Sequence, residues 1–271
     1  MPRATVLTTV FNGARFVDRY CGNVRGAAGQ DLLWLLVDDG SDDGAPKAVA
    51  ERLAAEGLAD GFRLLTPGRL GRPRALNHGV AAVETEVFFL QDFDDESFPE
   101  RFPLQLERLA SDPALACVGG GYRHVLADEG REEIRCLDFD PARYLRQFPL
   151  FVPFPHTFMA FRTESVRKVG GYPEWDDYEE MGLIGRLLAA GYGIDAVNAV
   201  VGRHFIYPGS YFEARQPYAV RRWRAMKRQL AMRREFPFVR PGSVTIAARF
   251  AYAFLPAPFR HAVRKAAGHA R

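Results

Sequence analysis

The sequence predicts an α/β fold on a mostly parallel sheet, and three observations predict it. Apolar runs of strand length, ATVLTTV (4–10), LLWLLVDD (32–39) and EVFFLQ (86–91), alternate with helical stretches of ten residues or more. The runs are apolar almost throughout, as strands covered on both faces require. Polar side chains suited to ligand binding gather where the runs end: Thr9 and Asn12, then Asp38 and Asp39, then Asp92 to Asp95. Open α/β sheets bind ligands outside the carboxyl ends of their strands, so three such ends converge on one crevice.

The elements follow in order. Asn12-Gly13 closes the first run, and a helix is expected to about residue 28. Asp38-Asp39-Gly40-Ser41 closes the second, and a helix follows over about 44–56. A short strand near 62–65 leads into the loop from Gly68 to Pro73 and a helix over about 73–84. After EVFFLQ, Ser97-Phe98-Pro99-Glu100 reads as a helix opening, with Ser97 near the cap and Pro99 in the first turn. LACVGGGYRHVLAD (115–128) and REEIRCLDF (131–139) read as a strand pair turned at Asp128-Glu129-Gly130, and HTFMAF (156–161) as another strand. Two more helices are expected, from about Thr163 to Val169 before Gly170-Gly171, and from about Asp177 to Ala190 before Gly191. No repeat or low-complexity segment interrupts the pattern.

The stretch FFLQDFDDESFPERF (88–102) raises the question of chemistry. It sets Asp92, Asp94, Asp95 and Glu96 within five residues behind a greasy strand, where packing does not call for them. A solvated turn or an acidic helix start would account for them; so would a cation site. Two carboxylates at i and i+2 in an extended loop can aim oxygens at one hard cation, Mg²⁺ or Mn²⁺, which also accepts phosphate oxygens and water. Such an ion neutralises a departing diphosphate. Arg69, Arg72 and Arg74 lie in the Gly/Pro-rich loop before the third helix. A guanidinium fork matches phosphate oxygens, the alternative being loop charge turned to solvent.

Taken in order, VLTTVFNGARF, LLVDDGSDDG, GRPRALNHGVAAVETEVFFLQDFDDESFPERF, HTFMAFRTESVRKVGGY and EEMGLIGRLLAAGY resemble glycosyltransferase family 2, inverting sugar transferases of the GT-A fold. The resemblance covers about residues 4–206. It implies a glycosyltransferase domain over 1–210, with a nucleotide-sugar half to about 98 merged with an acceptor half over 99–210. It places Phe11 and Asn12 at the base-binding first loop and sets Asp39, with Asp38, against a uracil ring. Asp92, Asp94 and Asp95 match the metal and nucleotide motif, with Asp94 as the direct ligand of a divalent cation. Thr9, Asp92 and the three arginines complete the nucleotide-binding candidates. His156 and Thr157 fall at the floor of the acceptor site. The family's Glu-Asp base motif corresponds to Glu179-Glu180, and counting back from Arg186 and Gly191 puts Glu180 at the base position. A Glu there is one methylene longer than the family's Asp. Asp176 and Asp177 are the alternatives, and an acidic first helical turn explains the pair without catalysis. Where the family often has His before Pro-Gly-Ser, this chain has Tyr207-Pro208-Gly209-Ser210.

Charge is divided along the chain. Residues 211–271 hold 14 Lys/Arg against two acids, while the first 210 residues hold 22 bases and 31 acids. A basic tail on an acidic body suggests an anionic partner. No nucleic-acid-binding motif accompanies the charge. An anionic membrane surface fits the Trp and Phe residues interleaved with Arg, a solvated helix face being the plainer alternative. Three cysteines without metal spacing fit a reducing compartment. The start, MPRATVLTTVFNG, lacks a signal-peptide h-region, and no apolar run approaches the roughly 20 residues of a membrane span.

The expectation is therefore a metal-dependent hexosyltransferase on the cytoplasmic side, peripheral to the membrane. It moves a sugar from a nucleotide diphosphate, UDP by default with GDP and dTDP open, to a hydroxyl of a glycan or lipid-linked acceptor. Cell-surface polysaccharide or glycolipid synthesis is the expected setting. Two rivals remain: a sugar-phosphate nucleotidyltransferase, and a nucleotide-sugar-binding protein without a working base.

Overall fold

Four parallel strands form the first half of the sheet in the computed structural model, which describes residues 2–127, 129–152, 154–175, 177–207, 218–256 and 259. They are β1 (Ala4–Val10), β2 (Leu32–Asp38), β3 (Phe62–Leu65) and β4 (Val87–Leu90), laid side by side as β3-β2-β1-β4. The crossovers are helical: α1 (Val17–Gly26), α2 (Ala45–Ala55) and α3 (Arg72–Ala82). Side chains alternate between two covered faces, which is why the runs are apolar throughout. Val6, Trp34, Leu36 and Phe89 share one core cluster with Tyr20 of α1, Val49 and Leu53 of α2, and Phe102. Tyr20 meets the Trp34 ring edge-on at 5.9 Å, and Phe102 does so at 6.1 Å.

The second half of the sheet is mixed. Its elements are β5 (Glu96–Ser97), α4 (Arg101–Ser111), β6 (Leu115–Leu126), β7 (Arg131–Arg135), α5 (Pro141–Gln147), β8 (Ala160–Arg162), α6 (Thr163–Lys168), α7 (Glu179–Ala189) and β9 (Gly193–Ile206). The sheet continues from β4 through β8, β6, β9 and β5, with β7 paired to the far end of β6. β8 runs antiparallel to β4 and β6, whereas β9 runs parallel to β6 through register shifts.

Two expectations are corrected here. Ser97 does not cap a helix: Glu96 and Ser97 pair with Arg203 and Gly202 of β9, and the helix starts at Arg101. The pairing partner lies more than a hundred residues away, beyond any local signal. The strand expected from His156 begins at Ala160 instead, because His156–Phe158 form a single 3₁₀ turn behind Pro155. That turn leaves the Thr157 carbonyl for Arg101, at 2.9 Å. The 14-residue β9 and the short α5 have no counterpart in the sequence reading.

By its contacts the chain divides into two compact units. One joins Met1–Tyr144 with Val152–Tyr207; the other joins Leu145–Phe151 with Pro208–Arg271. In the second, α8 (Tyr218–Glu235) and α9 (Ser243–Ala253) meet through Trp223 and Phe250, whose ring centroids are 5.8 Å apart. Phe148 stacks near Phe238 at 5.6 Å. Among the described residues no helix is long and apolar enough to cross a membrane.

Gly202 is where β5 is held closest. A Cβ there would run into the Glu96 carbonyl oxygen and the Phe158 ring, and neither has room to yield. Gly202→Ala is expected to lower the unfolding free energy by about 1–3 kcal/mol, the usual cost of overpacking. Urea denaturation measures it, and an unchanged midpoint would mean that β5 is not fixed by this contact.

Candidate active site

The acidic loop between β4 and β5 is built on buried polar side chains. Gln91, fully buried, donates from Nε2 to the carbonyls of Asp92 (2.9 Å) and Asp95 (3.1 Å). Asn23 of α1 donates to the Asp95 carbonyl at 2.8 Å and accepts from the Ser97 amide at 2.9 Å. The Asp92 amide donates to Thr157 Oγ1 at 2.9 Å. Beneath them lies Arg101, with no exposed surface. It donates to the Leu90 and Thr157 carbonyls, to Ser97 Oγ and to Gln105 Oε1. Burial pulls its pKa down to about 9, against the pull of Asp95.

The three aspartates have different surroundings. Asp92 accepts from Arg72 Nη2 at 2.8 Å, and although burial opposes it, the charge and hydrogen bond of Arg72 hold its carboxyl below the usual range. Asp95 is turned inward, accepting from the Phe205 amide and facing His204 Nδ1, both at 2.9 Å. Burial works against the charged form of His204, yet Asp95 outweighs it and raises the imidazole to about 9. Asp94 is pushed up to about 7, first by burial and then by the charges of Asp95 and Asp92. A half-buried carboxyl with two anions for neighbours, only partly offset by the charge of His204, is a site short of positive charge. The residues therefore fit a divalent cation, with Asp94 as the carboxylate to meet it.

The nucleotide-side candidates occupy the ends of β1 and β2. Asn12 accepts from the Asp42 amide at 2.9 Å, and its own amide donates to Ser41 Oγ at 3.0 Å. Asp38 accepts from the Ser41 amide at 2.8 Å, and Thr9 lies half-buried near the end of β1. Asp39 is buried and accepts from the amides of Leu70 (2.6 Å) and Gly71 (2.9 Å) and from the Arg69 guanidinium. That guanidinium also lies 3.9 Å over the ring of Phe11, which is 42% exposed. Gly71, at φ 87°, turns the chain into α3, where Arg72 and Pro73 take the first positions. The three arginines thus part company. Arg69 holds Asp39, Arg72 holds Asp92, and Arg74 pairs with Glu174 at 2.7 Å on the surface.

The acceptor-side candidates sit at the start of α7. Glu179 accepts from Arg72 Nε at 2.8 Å and is buried. Glu180 is raised to about 8, first by burial and then by the charge of Glu179. His156 meets the Tyr172 hydroxyl at 2.9 Å through Nε2 and is kept neutral, burial lowering it to about 3. Its Nδ1 is buried without a hydrogen-bond partner among the described residues. His156, Glu179 and Glu180 bring ligand atoms within 4.8 Å of one another. Arg72 already supplies the positive charge beside this group, so the cation reading stays with Asp94. Thr157 serves the acidic loop through its hydroxyl rather than facing α7. Asp177 precedes the helix, and Asp176 lies outside the described residues.

Tyr207 stacks beside Phe205 and tilts against Phe16 at 5.2 Å, and its hydroxyl accepts from Arg19. Arg19 also donates to the Asp94 carbonyl at 2.6 Å. Pro208, Gly209 and Ser210 lie outside the described residues. Sequence reasoning missed Arg19, Asn23, Gln91, Arg101 and His204, all of which hold the acidic loop. Only the i, i+4 spacing of Arg19 and Asn23 on α1 marks any of them in the sequence.

Comparison with known proteins bears on the family and the fold. The sequence model of Glycosyl transferase family 2 matches residues 5–170. The amylovoran biosynthesis glycosyltransferase AmsE of Erwinia amylovora is 28% identical over 160 residues, 59% of this chain and 59% of that protein. The match therefore spans less than two thirds of that relative. Among solved structures, the mannosyltransferase PcManGT from Pyrobaculum calidifontis, in complex with GDP-Man and Mn²⁺, has a TM-score of 0.62 at 20% identity. That alignment covers 98% of this chain and 80% of the other. TarS of S. aureus, in complex with UDP-GlcNAc, has a TM-score of 0.69 at 12% identity, over 94% of this chain and 73% of its own. These likenesses establish the GT-A fold: a parallel nucleotide-side half merged with a mixed second half. With the family's sequence pattern running over more than half of its length, the chain belongs to glycosyl transferase family 2.

Proposed function

We propose that this chain is an inverting glycosyltransferase that moves a sugar from a nucleotide diphosphate to an acceptor hydroxyl. The carrying observation is that one guanidinium, Arg72, touches both Asp92 of the acidic loop and Glu179 beside Glu180. Glu180 removes the acceptor proton as that oxygen bonds to the anomeric carbon from the face opposite the leaving group. The bond from that carbon to the diphosphate breaks, and a nucleoside diphosphate leaves. Asp94, with Asp92 alongside, would hold a divalent cation, Mn²⁺ or Mg²⁺, which would supply charge neutralisation for the diphosphate. Phe11, Asn12, Asp38 and Asp39 receive the base and ribose side, and Asp39 reaches a uracil edge once Arg69 gives up its oxygen. Arg69 and Arg72 are placed to take phosphate oxygens. His156, neutral beside Glu180, lines the acceptor side.

UDP-sugars are the first donors to test, followed by GDP- and dTDP-sugars, since the two structural neighbours hold UDP-GlcNAc and GDP-Man. Synthesis of a glycan or lipid-linked glycan accords with the name of the amylovoran relative. Residues 1–210 form the transferase domain in this reading, and 211–271 an appended tail. The two rivals separate by product: a nucleotidyltransferase releases pyrophosphate, and a binding protein releases nothing. A thermal-shift screen of nucleotide sugars with Mn²⁺ or Mg²⁺, followed by product analysis with the best donor, tests the reading. Asp94→Asn is expected to remove the metal-dependent part of donor binding, a loss of tenfold or more, without lowering the melting temperature. Equal donor affinity and metal dependence in this variant would overturn the cation assignment.

The tail supports a site of action at an anionic membrane surface. Residues 218–256 carry nine Lys/Arg and one acid, Glu235, and they expose Trp223, Val244, Phe254 and Leu255. Each basic residue near such a surface contributes about 1 kcal/mol, screened by salt. Co-sedimentation with anionic liposomes is expected to exceed that with neutral ones, to fall in high salt, and to fall again in Trp223→Ala. Equal sedimentation on both lipids would leave the tail as a packing element.

A further inference from the structure

Arg72 divides one guanidinium between two carboxylates that serve different halves of the proposed reaction. Nε donates to Glu179 and Nη2 to Asp92, each at 2.8 Å, across 107 and 20 residues of sequence. The arginine leaves the first turn of α3, Asp92 follows β4, and Glu179 opens α7, so three separate elements meet at one planar group. Only a guanidinium presents fixed donors to two carboxylates in this way.

We propose that Arg72 is a positioning residue for the base: its guanidinium ties Glu179, and with it the start of α7 that carries Glu180, to Asp92 on the donor side. The inference rests on the reading of Glu180 as the general base. It differs from a phosphate-contact role, because Arg72 here acts through Glu179 and not through the donor.

The charges around Glu180 decide the direction of the effect. Glu179 stands beside it on α7, Arg72 faces it from α3, and Asp92 from the acidic loop. His156 approaches from the 3₁₀ turn, Tyr144 from α5 and Tyr172 from the loop after α6. His156 is neutral, and burial pushes both tyrosine hydroxyls well above their ordinary value, so these three bring no charge at neutral pH. Two anions and one cation remain. After burial, Glu179 is the largest contribution raising Glu180, while Arg72 lowers it. The Arg72 side chain is 43% exposed, which screens its pull in part. Without Arg72 its lowering pull on Glu180 is lost, and Glu180 holds its proton to higher pH. Without the charge of Glu179, Glu180 gives up its proton at lower pH.

The two substitutions therefore move one observable in opposite directions. The pH dependence of kcat, at saturating donor and Mn²⁺, is measured for the wild-type chain and for Arg72→Met, Arg72→Lys, Glu179→Gln and Glu180→Gln. The acid limb is expected to move up by about one pH unit in Arg72→Met and down by about one unit in Glu179→Gln. Arg72→Lys, which keeps the charge and loses the fork, is expected in between Arg72→Met and wild type. Glu179→Gln is nearly isosteric, so it tests the idea even where Arg72→Met folds poorly. Limbs that stay in place while the plateau falls would make Arg72 a structural or phosphate-binding residue only, and would overturn the inference. Glu180→Gln separates the two layers of the argument. Wild-type turnover in that variant would remove Glu180 as the base, whereas an inactive Glu180→Gln with unmoved limbs elsewhere removes only the role of Arg72.

Discussion

The buried guanidinium of Arg101 is the interaction on which the rest of the site depends. A charge fully removed from water is costly unless every donor finds an acceptor. Here the acceptors come from the end of β4, from Ser97 in β5, from the 3₁₀ turn before β8 and from Gln105 on the same helix. One side chain thus pins the parallel half of the sheet to the mixed half at the point where the acidic loop begins. Its partners are neutral carbonyls, hydroxyls and amides, and Asp95 lies near enough to act on it through space. The loop inherits its shape from this network rather than from its own sequence.

On that base, three aspartates in four positions come to differ. Asp95 is consumed by structure, tied to β9 through the Phe205 amide and His204. Asp92 faces outward and is balanced by Arg72. Asp94 is left half-buried beside two like charges, and burial followed by those charges raises its carboxyl. The same residue type therefore serves as anchor and as bridge, and in the proposed reading as ligand. The division follows from which backbone amides and cations reach each carboxylate.

The acceptor side follows a related logic with the opposite content. His156, Tyr172 and Tyr144 are buried and uncharged around Glu180. A carboxyl in such a setting holds its proton more tightly than in water, and a nearby anion strengthens the hold. Glu179 supplies that anion and accepts from Arg72 at 2.8 Å. The acidic loop and the start of α7 are thereby linked through one arginine, although they lie on different elements.

Much of this was legible in the sequence. The apolar runs of β1, β2 and β4 fixed both the strands and the ends at which polar residues gather, because a two-sided buried strand leaves no other pattern. Pro73 behind Arg72 marked the start of α3, and Gly191 the end of α7, for local steric reasons that hold in any fold. The order of the motifs was enough for the family. Other features had no local signature. Ser97 looked like a helix cap until β9 paired with it, and His156 looked like the start of a strand until Arg101 claimed the Thr157 carbonyl. Arg101, Gln91 and Asn23 carry no motif, since a buried polar network is defined by which distant carbonyls arrive at it. Residue types and their periodicity set which elements form and where ligands can be met. Which carboxylate is neutralised, which is buried and which is left short of charge was decided only by tertiary structure, because burial and Coulomb terms depend on neighbours brought from a hundred residues away.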